Sequence, residues 1–279
     1  MKTITYLALC LSIFVTPLIA KTSSGPDFLV IGAQKSGTSS LYYYLTNHPQ
    51  ITKAKGKEIH YFNRNFSKGI KWYKSQFPKK TKKSDFLTGE ATPEYLFCSQ
   101  IPKMVHDFFP KTKLIVILRN PVDRAFSHYK KNHRKNLRMG KENRSFEEEL
   151  STDLQIHEEN SASLHDDAYY GETGLLRRGL YLEQIKRYLK FFPKKQLHII
   201  LTRDLENDPE NTMNRLFQFL NLPNYTQSEY TRENVATNNQ ITLAPKTRKF
   251  LEDFYRPYNE ELQNYLKEVL ELDVTLDWD

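Results

Sequence analysis

Apolar residues fall along this chain in two rhythms. Phe28-Leu-Val-Ile31, Lys113-Leu-Ile-Val-Ile-Leu118 and Gln196 to Leu201 are short, continuous and rich in β-branched residues, the pattern of strands buried on both faces of a parallel sheet. Asp85-Phe-Leu-Thr-Gly-Glu90 reads as one more strand. Between them, apolar residues recur every three or four positions. That spacing predicts helices over Ser40–Asn47, Lys68–Phe77, Ile101–Phe109, Val122–Leu137, Gly179–Phe192, Pro209–Leu220 and Lys246–Leu270. Pro78, Pro110 and Pro193 end three of these, since proline lacks the N–H a helix needs and its ring clashes with the preceding turn. Strands alternating with helices imply an α/β fold: a central, mostly parallel sheet covered on both faces.

Other segments break the rhythm. Arg138 to Thr173 is charged, mixed in sign and helical only locally, over Phe146–Leu154; it is expected to be an insertion covering the active site. Asn221 to Leu243 is a polar connection. Near the N-terminus an apolar run from Thr3 to Ala20, interrupted by Pro17, follows Met1-Lys2. Residues 1–20 are therefore expected to be a secretory signal peptide cut near Ala20, or an N-terminal membrane anchor, since the run reaches the lower length limit for a span. Residues 27–279 are expected to form a single domain, because nothing in composition or repetition marks a second. Cys10 lies in the targeting segment and leaves Cys98 alone, so no intramolecular disulfide is expected in the mature domain. Asn65, Asn143 and Asn224 stand in N-x-S/T sequons, open to glycosylation in a host that performs it.

With 39% hydrophobic and 13% aromatic residues the chain is globular, not disordered. A net charge of +8 suits anionic ligands, either a phosphorylated donor or a polyanionic acceptor, and equally suits a plain basic surface.

The chemistry starts where the first apolar run ends. Ile31-Gly-Ala-Gln-Lys-Ser-Gly-Thr-Ser39 is a glycine-bracketed loop between a strand and a helix, where free amides and the helix dipole favour an anion. This gives the chain a P-loop-NTPase-like, three-layer α/β/α character. Gly32 and Gly37 have Walker A spacing, but Thr38 stands where the lysine should and Lys35 sits inside the loop, so an ATP loop is not expected. The strand ending at Leu118 runs into Arg119-Asn-Pro-Val-Asp-Arg-Ala-Phe-Ser127, with Arg where a Walker B strand would place a metal-binding Asp. Arg119 and Ser127 suit a phosphate; Arg119 could also pair with Asp123.

Gln34-Lys-Ser-Gly-Thr-Ser39, Lys57-Glu-Ile-His-Tyr-Phe62 and Leu118-Arg-Asn-Pro-Val-Asp-Arg-Ala-Phe-Ser-His-Tyr129 together resemble the sulfotransferase domain of the heparan sulfate type, the glucosaminyl N- and 3-O-sulfotransferases and their bacterial relatives. The resemblance runs from about Asp27 to the C-terminus. It implies 3′-phosphoadenosine 5′-phosphosulfate (PAPS) as donor with no metal requirement, and a carbohydrate acceptor, an anionic glycan, with no nucleic acid partner. It implies the secretory pathway: a secreted enzyme, or a Golgi membrane protein if the N-terminal segment is retained, with the membrane touched only through that anchor. By the same resemblance Lys35, Ser36, Gly37, Thr38 and Ser39 cradle the 5′-phosphate, Lys35 stabilises the leaving charge, and Arg119 and Ser127 hold the 3′-phosphate. Glu58 is the base, with His60 in reserve.

The flanking Lys53, Lys55 and Lys57 offer Glu58 a plain salt bridge instead. Tyr42 to Tyr44 are expected to pack in the core and surface, and His106 and His198 to be structural. Departures concern the acceptor. Glu90 is followed by Ala91 where heparan-type members often have Lys, and no Lys-Gly-Arg segment occurs between Tyr225 and Lys246. A glycan-binding protein on the same fold and a P-loop kinase are the competing expectations.

Overall fold

The computed structural model describes residues 25–81, 83–159, 174–231 and 241–278. The expected signal or anchor segment lies outside them, as do 160–173 of the insertion and 232–240 of the polar connection. Four strands are present among the described residues: β1 (Phe28–Gly32), β2 (Gly89–Ala91), β3 (Lys113–Leu118) and β4 (Leu197–Leu201). All neighbours are parallel, in the order β2-β1-β3-β4.

The unbroken apolar runs are explained by the two faces of this sheet. Leu29, Ile31, Leu114, Val116 and Leu118 point into one core, while Phe28, Val30, Ile115 and Ile117 point into another. Each side chain buried this way contributes about 1.5–3 kcal/mol, and a strand buried on both faces is filled mainly by apolar side chains. The first core is closed by α2 (Tyr61–Arg64), α3 (Gly69–Lys74), α4 (Ile101–Phe108) and α7 (Tyr181–Leu189). The second is closed by α1 (Thr38–Thr46), α8 (Thr202–Asn207) and α9 (Pro209–Leu220). The result is the expected three-layer α/β/α arrangement. A third cluster joins α5 (Pro121–Arg138), α6 (Phe146–Glu159) and the first half of α10 (Pro245–Glu268).

The differences from the apolar pattern are local. β2 is three residues long instead of spanning Asp85–Glu90: Thr88 gives its N–H to the Asp27 carboxylate, and Leu87 forms only an isolated bridge with Ile51. α3 is shorter than Lys68–Phe77: a 3₁₀ turn over Phe66–Lys68 delays its start to Gly69, and it ends at Lys74. α6 continues past Leu154 to Glu159. α10 runs through Pro257 without ending. α2 and α8, of four and six residues, are too short to show a period and were not expected. No helix among the described residues is long and apolar enough to cross a membrane.

Candidate active site

At the carboxyl ends of β1 and β3 the chain leaves the sheet in two turns that meet. After β1, the loop tightens with a Ser36 N–H to Ala33 carbonyl bond of 3.2 Å and enters α1 at Thr38. Gly37 sits at φ 97°, a conformation that disfavours any residue with a Cβ, and Lys35 sits at φ 73°. The first intrahelical bond is from Leu41 N–H to the Gly37 carbonyl, so the amides of Thr38 and Ser39 have no helical acceptor, the condition under which a helix start can accept an anion. Ser36 takes another part. Its hydroxyl is fully buried beside Tyr181, and its carbonyl accepts from Thr202 Oγ1 at 2.7 Å, which ties the loop to β4.

After β3, Asn120 caps α5, its side-chain oxygen accepting from the N–H groups of Val122 (2.9 Å) and Asp123 (3.3 Å). Arg119 Nη1 reaches back to the Lys35 carbonyl at 3.2 Å and so joins the turn after β3 to the turn after β1. The alternative partner of Arg119 is taken: Asp123 pairs with Arg248 at 2.8 Å. Tyr181 holds the arrangement from below, donating to the Arg119 carbonyl at 2.8 Å. Ser127 lies half-buried two turns into α5, with no bond to the loop.

Along α5 the positions of Ser127, Lys131 and Arg134 follow one helical stripe, and the charges of Lys131 and Arg134 bear on Lys35. Neither cation stood out in the sequence; their i, i+4, i+7 spacing from Ser127 was the available signal. Burial lowers the Lys35 pKa, with Lys131, Arg134 and Arg119 adding to the effect and Glu58 opposing it, so the group titrates at about 8 instead of 10.5. Lys35 is therefore an ammonium below pH 8 and increasingly a neutral amine above it. We expect kcat/KM to fall as pH rises through about 8 and the limb to vanish in Lys35→Arg, whose guanidinium does not titrate; a wild-type profile flat to pH 9 would refute this.

Glu58 and His60 lie on the segment that enters α2. Glu58 accepts from Lys57 Nζ at 2.8 Å and sits 3.2 Å from His60 Nε2, with its side chain 41% exposed. Burial pushes its pKa up, but the His60 hydrogen bond and Lys57 outweigh that and hold it at about 2. His60, at φ 53°, also contacts the Asn63 side chain through Nδ1 at 3.3 Å.

A buried network fixes this segment. Glu90, fully buried in β2, accepts from Tyr73 and Tyr95 hydroxyls on Oε1 and from the Ile59 N–H and Thr92 hydroxyl on Oε2. Thr92 Oγ1 accepts the His60 N–H, and Tyr95 the Tyr61 N–H. Burial raises the Glu90 pKa even against four donors. Glu90 is thus the post that fixes the segment carrying Glu58 and His60, and the Glu58 charge bears on Lys35. In the sequence it stands at the end of a strand, before the Ala91 that replaces the family's frequent Lys, with no role assigned to it.

Among the described residues no group of three or more His, Cys, Asp or Glu is placed to hold a metal. Tyr42 and Tyr44 are buried and Tyr43 is on the surface, Tyr42 donating to the Gly89 carbonyl at 3.0 Å. His198 stacks on Phe219, and burial with Arg215 lowers its pKa to about 4.

Residues 25–268 match the family described as the sulfotransferase domain. The membrane-associated sulfotransferase kil1 of Dictyostelium discoideum is 28% identical over 321 residues, covering 90% of this chain and 67% of that protein. The human bifunctional heparan sulfate N-deacetylase/N-sulfotransferase 3 is 34% identical over 73% of this chain, and human heparan sulfate glucosamine 3-O-sulfotransferase 6 is 30% identical over 71%. The chain spans only 23% and 52% of those two proteins. Among solved structures, a sulfotransferase from Alicyclobacillus acidocaldarius superposes with a TM-score of 0.66 at 28% identity, covering 89% of this chain and 97% of that one. Mouse sulfotransferase SULT7A1 complexed with PAP shares the fold, at a TM-score of 0.52 and 16% identity over 89% of each chain. With a loop that carries its lysine inside, an arginine in place of the metal-binding aspartate, and a family match across most of its length, this chain belongs to the sulfotransferase domain family.

Proposed function

We propose that this protein moves the sulfuryl group of PAPS to a hydroxyl or amine of a carbohydrate acceptor, an anionic glycan of the heparan-like kind, by in-line displacement with Glu58 as base. The observation that carries this is the bond from Arg119 to the Lys35 carbonyl, which ties the two cation-bearing turns together. Among the described residues neither Lys35 nor Arg119 has a carboxylate within ion-pair distance. Cations crowded enough to depress a lysine pKa, with amides that have no helical acceptor beside them, fit a nucleotide carrying two phosphates better than a neutral ligand.

The donor supplies the activated sulfur–oxygen bond. Within the pocket Lys35 and the amides of Gly37, Thr38 and Ser39 hold the 5′-phosphate and stabilise the charge that grows on it. Arg119 and Ser127 hold the 3′-phosphate. Glu58 takes the acceptor proton as the new sulfur–oxygen or sulfur–nitrogen bond forms, and His60 orients it. The substrate class follows the names of the heparan sulfate relatives, and the compartment we propose is the secretory pathway, entered through residues 1–20.

A thermal-shift comparison tests this. A ligand at ~100 times its Kd stabilises a fold by about 2.7 kcal/mol. Adenosine 3′,5′-bisphosphate is expected to raise Tm and ATP with Mg²⁺ to leave it in place, and Arg119→Ala should abolish the shift. A response only to a sulfated oligosaccharide would establish a glycan-binding protein, and one only to ATP with Mg²⁺ a kinase. Equal response of the wild type to nucleotides with and without the 3′-phosphate would remove Arg119 and Ser127 from that pocket.

A further inference from the structure

Positive charge is densest along one stretch of this chain, with a smaller excess along 119–144. Residues 53–83 hold eleven Lys and Arg against one carboxylate, Glu58, an excess of ten; the whole chain has a net charge of +8, so everything outside the stretch is slightly acidic taken together. A generally basic surface would not be distributed in this way.

The fold lays this stretch beside the acceptor side of the site. Ile51 bridges Leu87, Thr52 N–H donates to the Leu87 carbonyl at 2.9 Å, and Ala91 N–H donates to the Lys57 carbonyl at 2.9 Å. The segment thus follows the outer side of β2, the edge strand, to its carboxyl end, and arrives at Glu58. Lys53 and Lys55 are exposed on it, and Lys55 N–H donates to the Gln76 carbonyl at 2.8 Å, which brings in the end of α3 with Lys71 and Lys74. None of these four lysines has a carboxylate within ion-pair distance among the described residues. The rim leads to Glu58, whose charge bears on Lys35 together with those of Lys131 and Arg134.

We propose that the rim of Lys53, Lys55, Lys71 and Lys74 is a docking track for an anionic polysaccharide, which delivers the acceptor chain to Glu58. This rests on the proposed anionic glycan acceptor. The track binds sulfate and carboxylate groups several units away from the one that reacts, through charge rather than shape, so affinity depends steeply on salt. Lysines along a sheet edge also guard against strand pairing between molecules, which is the competing role. Guarding requires neither a concentration of charge larger than that of the whole chain nor a path ending at the base.

The test uses the full chain and a sulfated heparin oligosaccharide as probe, in about 0.15 M salt. The double charge reversal Lys53→Glu with Lys55→Glu is expected to weaken binding by at least ~10-fold and to flatten the dependence of log Kd on log salt. The thermal shift produced by adenosine 3′,5′-bisphosphate should match the wild type, which shows that the fold and the donor pocket survive. Lys195→Glu, between α7 and β4, should leave the probe affinity unchanged. An unchanged Kd in the double variant, an equal loss in Lys195→Glu, self-association without loss of affinity, or tighter wild-type binding to phosphatidylserine vesicles than to the probe would each overturn the proposal. A wild type that ignores the bisphosphate refutes the donor assignment separately, because probe binding does not depend on it.

Discussion

Lys35→Ala is expected to lower turnover by about 10²- to 10³-fold, the loss typical of removing one preorganised contact to a developing negative charge. Lys35 is the one charged side chain in the turn between β1 and α1, and the Arg119 bond to its carbonyl holds the backbone there whatever side chain it carries. The effect should therefore be confined to chemistry. Burial of Lys35 beside Lys131, Arg134 and Arg119 costs the free protein stability, so the alanine variant should melt no lower than wild type. Measuring kcat at saturating donor and Tm on the same preparation separates the two effects. A near-normal kcat removes Lys35 from its role, and a collapsed Tm would mean that the loop depends on the lysine side chain itself.

Glu58→Gln is the second large expectation, a fall in kcat of at least ~10² from loss of a general base. Lys57 does pair with Glu58, as its flanking lysines allowed, but an exposed pair of this kind contributes only about 0–1 kcal/mol. The glutamine variant keeps the shape and should keep the stability. If Glu58 serves only as a partner of Lys57, kcat will be unchanged. The carboxylate, held at about 2 by His60 and Lys57, is a weak proton acceptor in the free protein. Acceptor entry must draw those partners away for it to act, so the defect should show in kcat more than in acceptor KM. Equal losses in both would point to acceptor binding instead of proton removal.

Both residues are singled out in the sequence, Lys35 by its place inside the loop and Glu58 by the family resemblance, because those segments are local. Three strands, the helices Pro209–Leu220 and Pro121–Arg138, and the loop bracketed by Gly32 and Gly37 were legible for the same reason: a strand buried on both faces is filled mainly by apolar side chains, and Gly37 occupies a backbone region that penalises a Cβ. β2 was misjudged because its ends are set by Asp27 and Ile51, residues distant in sequence. α2 and α8 were missed because one or two turns show no period.

The sequence by itself determined the layered α/β architecture, the glycine-bracketed loop between β1 and α1, and the absence of the standard ATP signature, since each is written in neighbouring residues and their spacing. The tertiary structure alone decided which charges face one another. It gave Asp123 to Arg248 and left Arg119 to the Lys35 carbonyl; it buried Glu90 under four donors that fix the segment carrying Glu58 and His60; and it laid the start of the basic stretch along the sheet edge leading to them. Electrostatic effects depend on distance and burial, and chain order specifies neither.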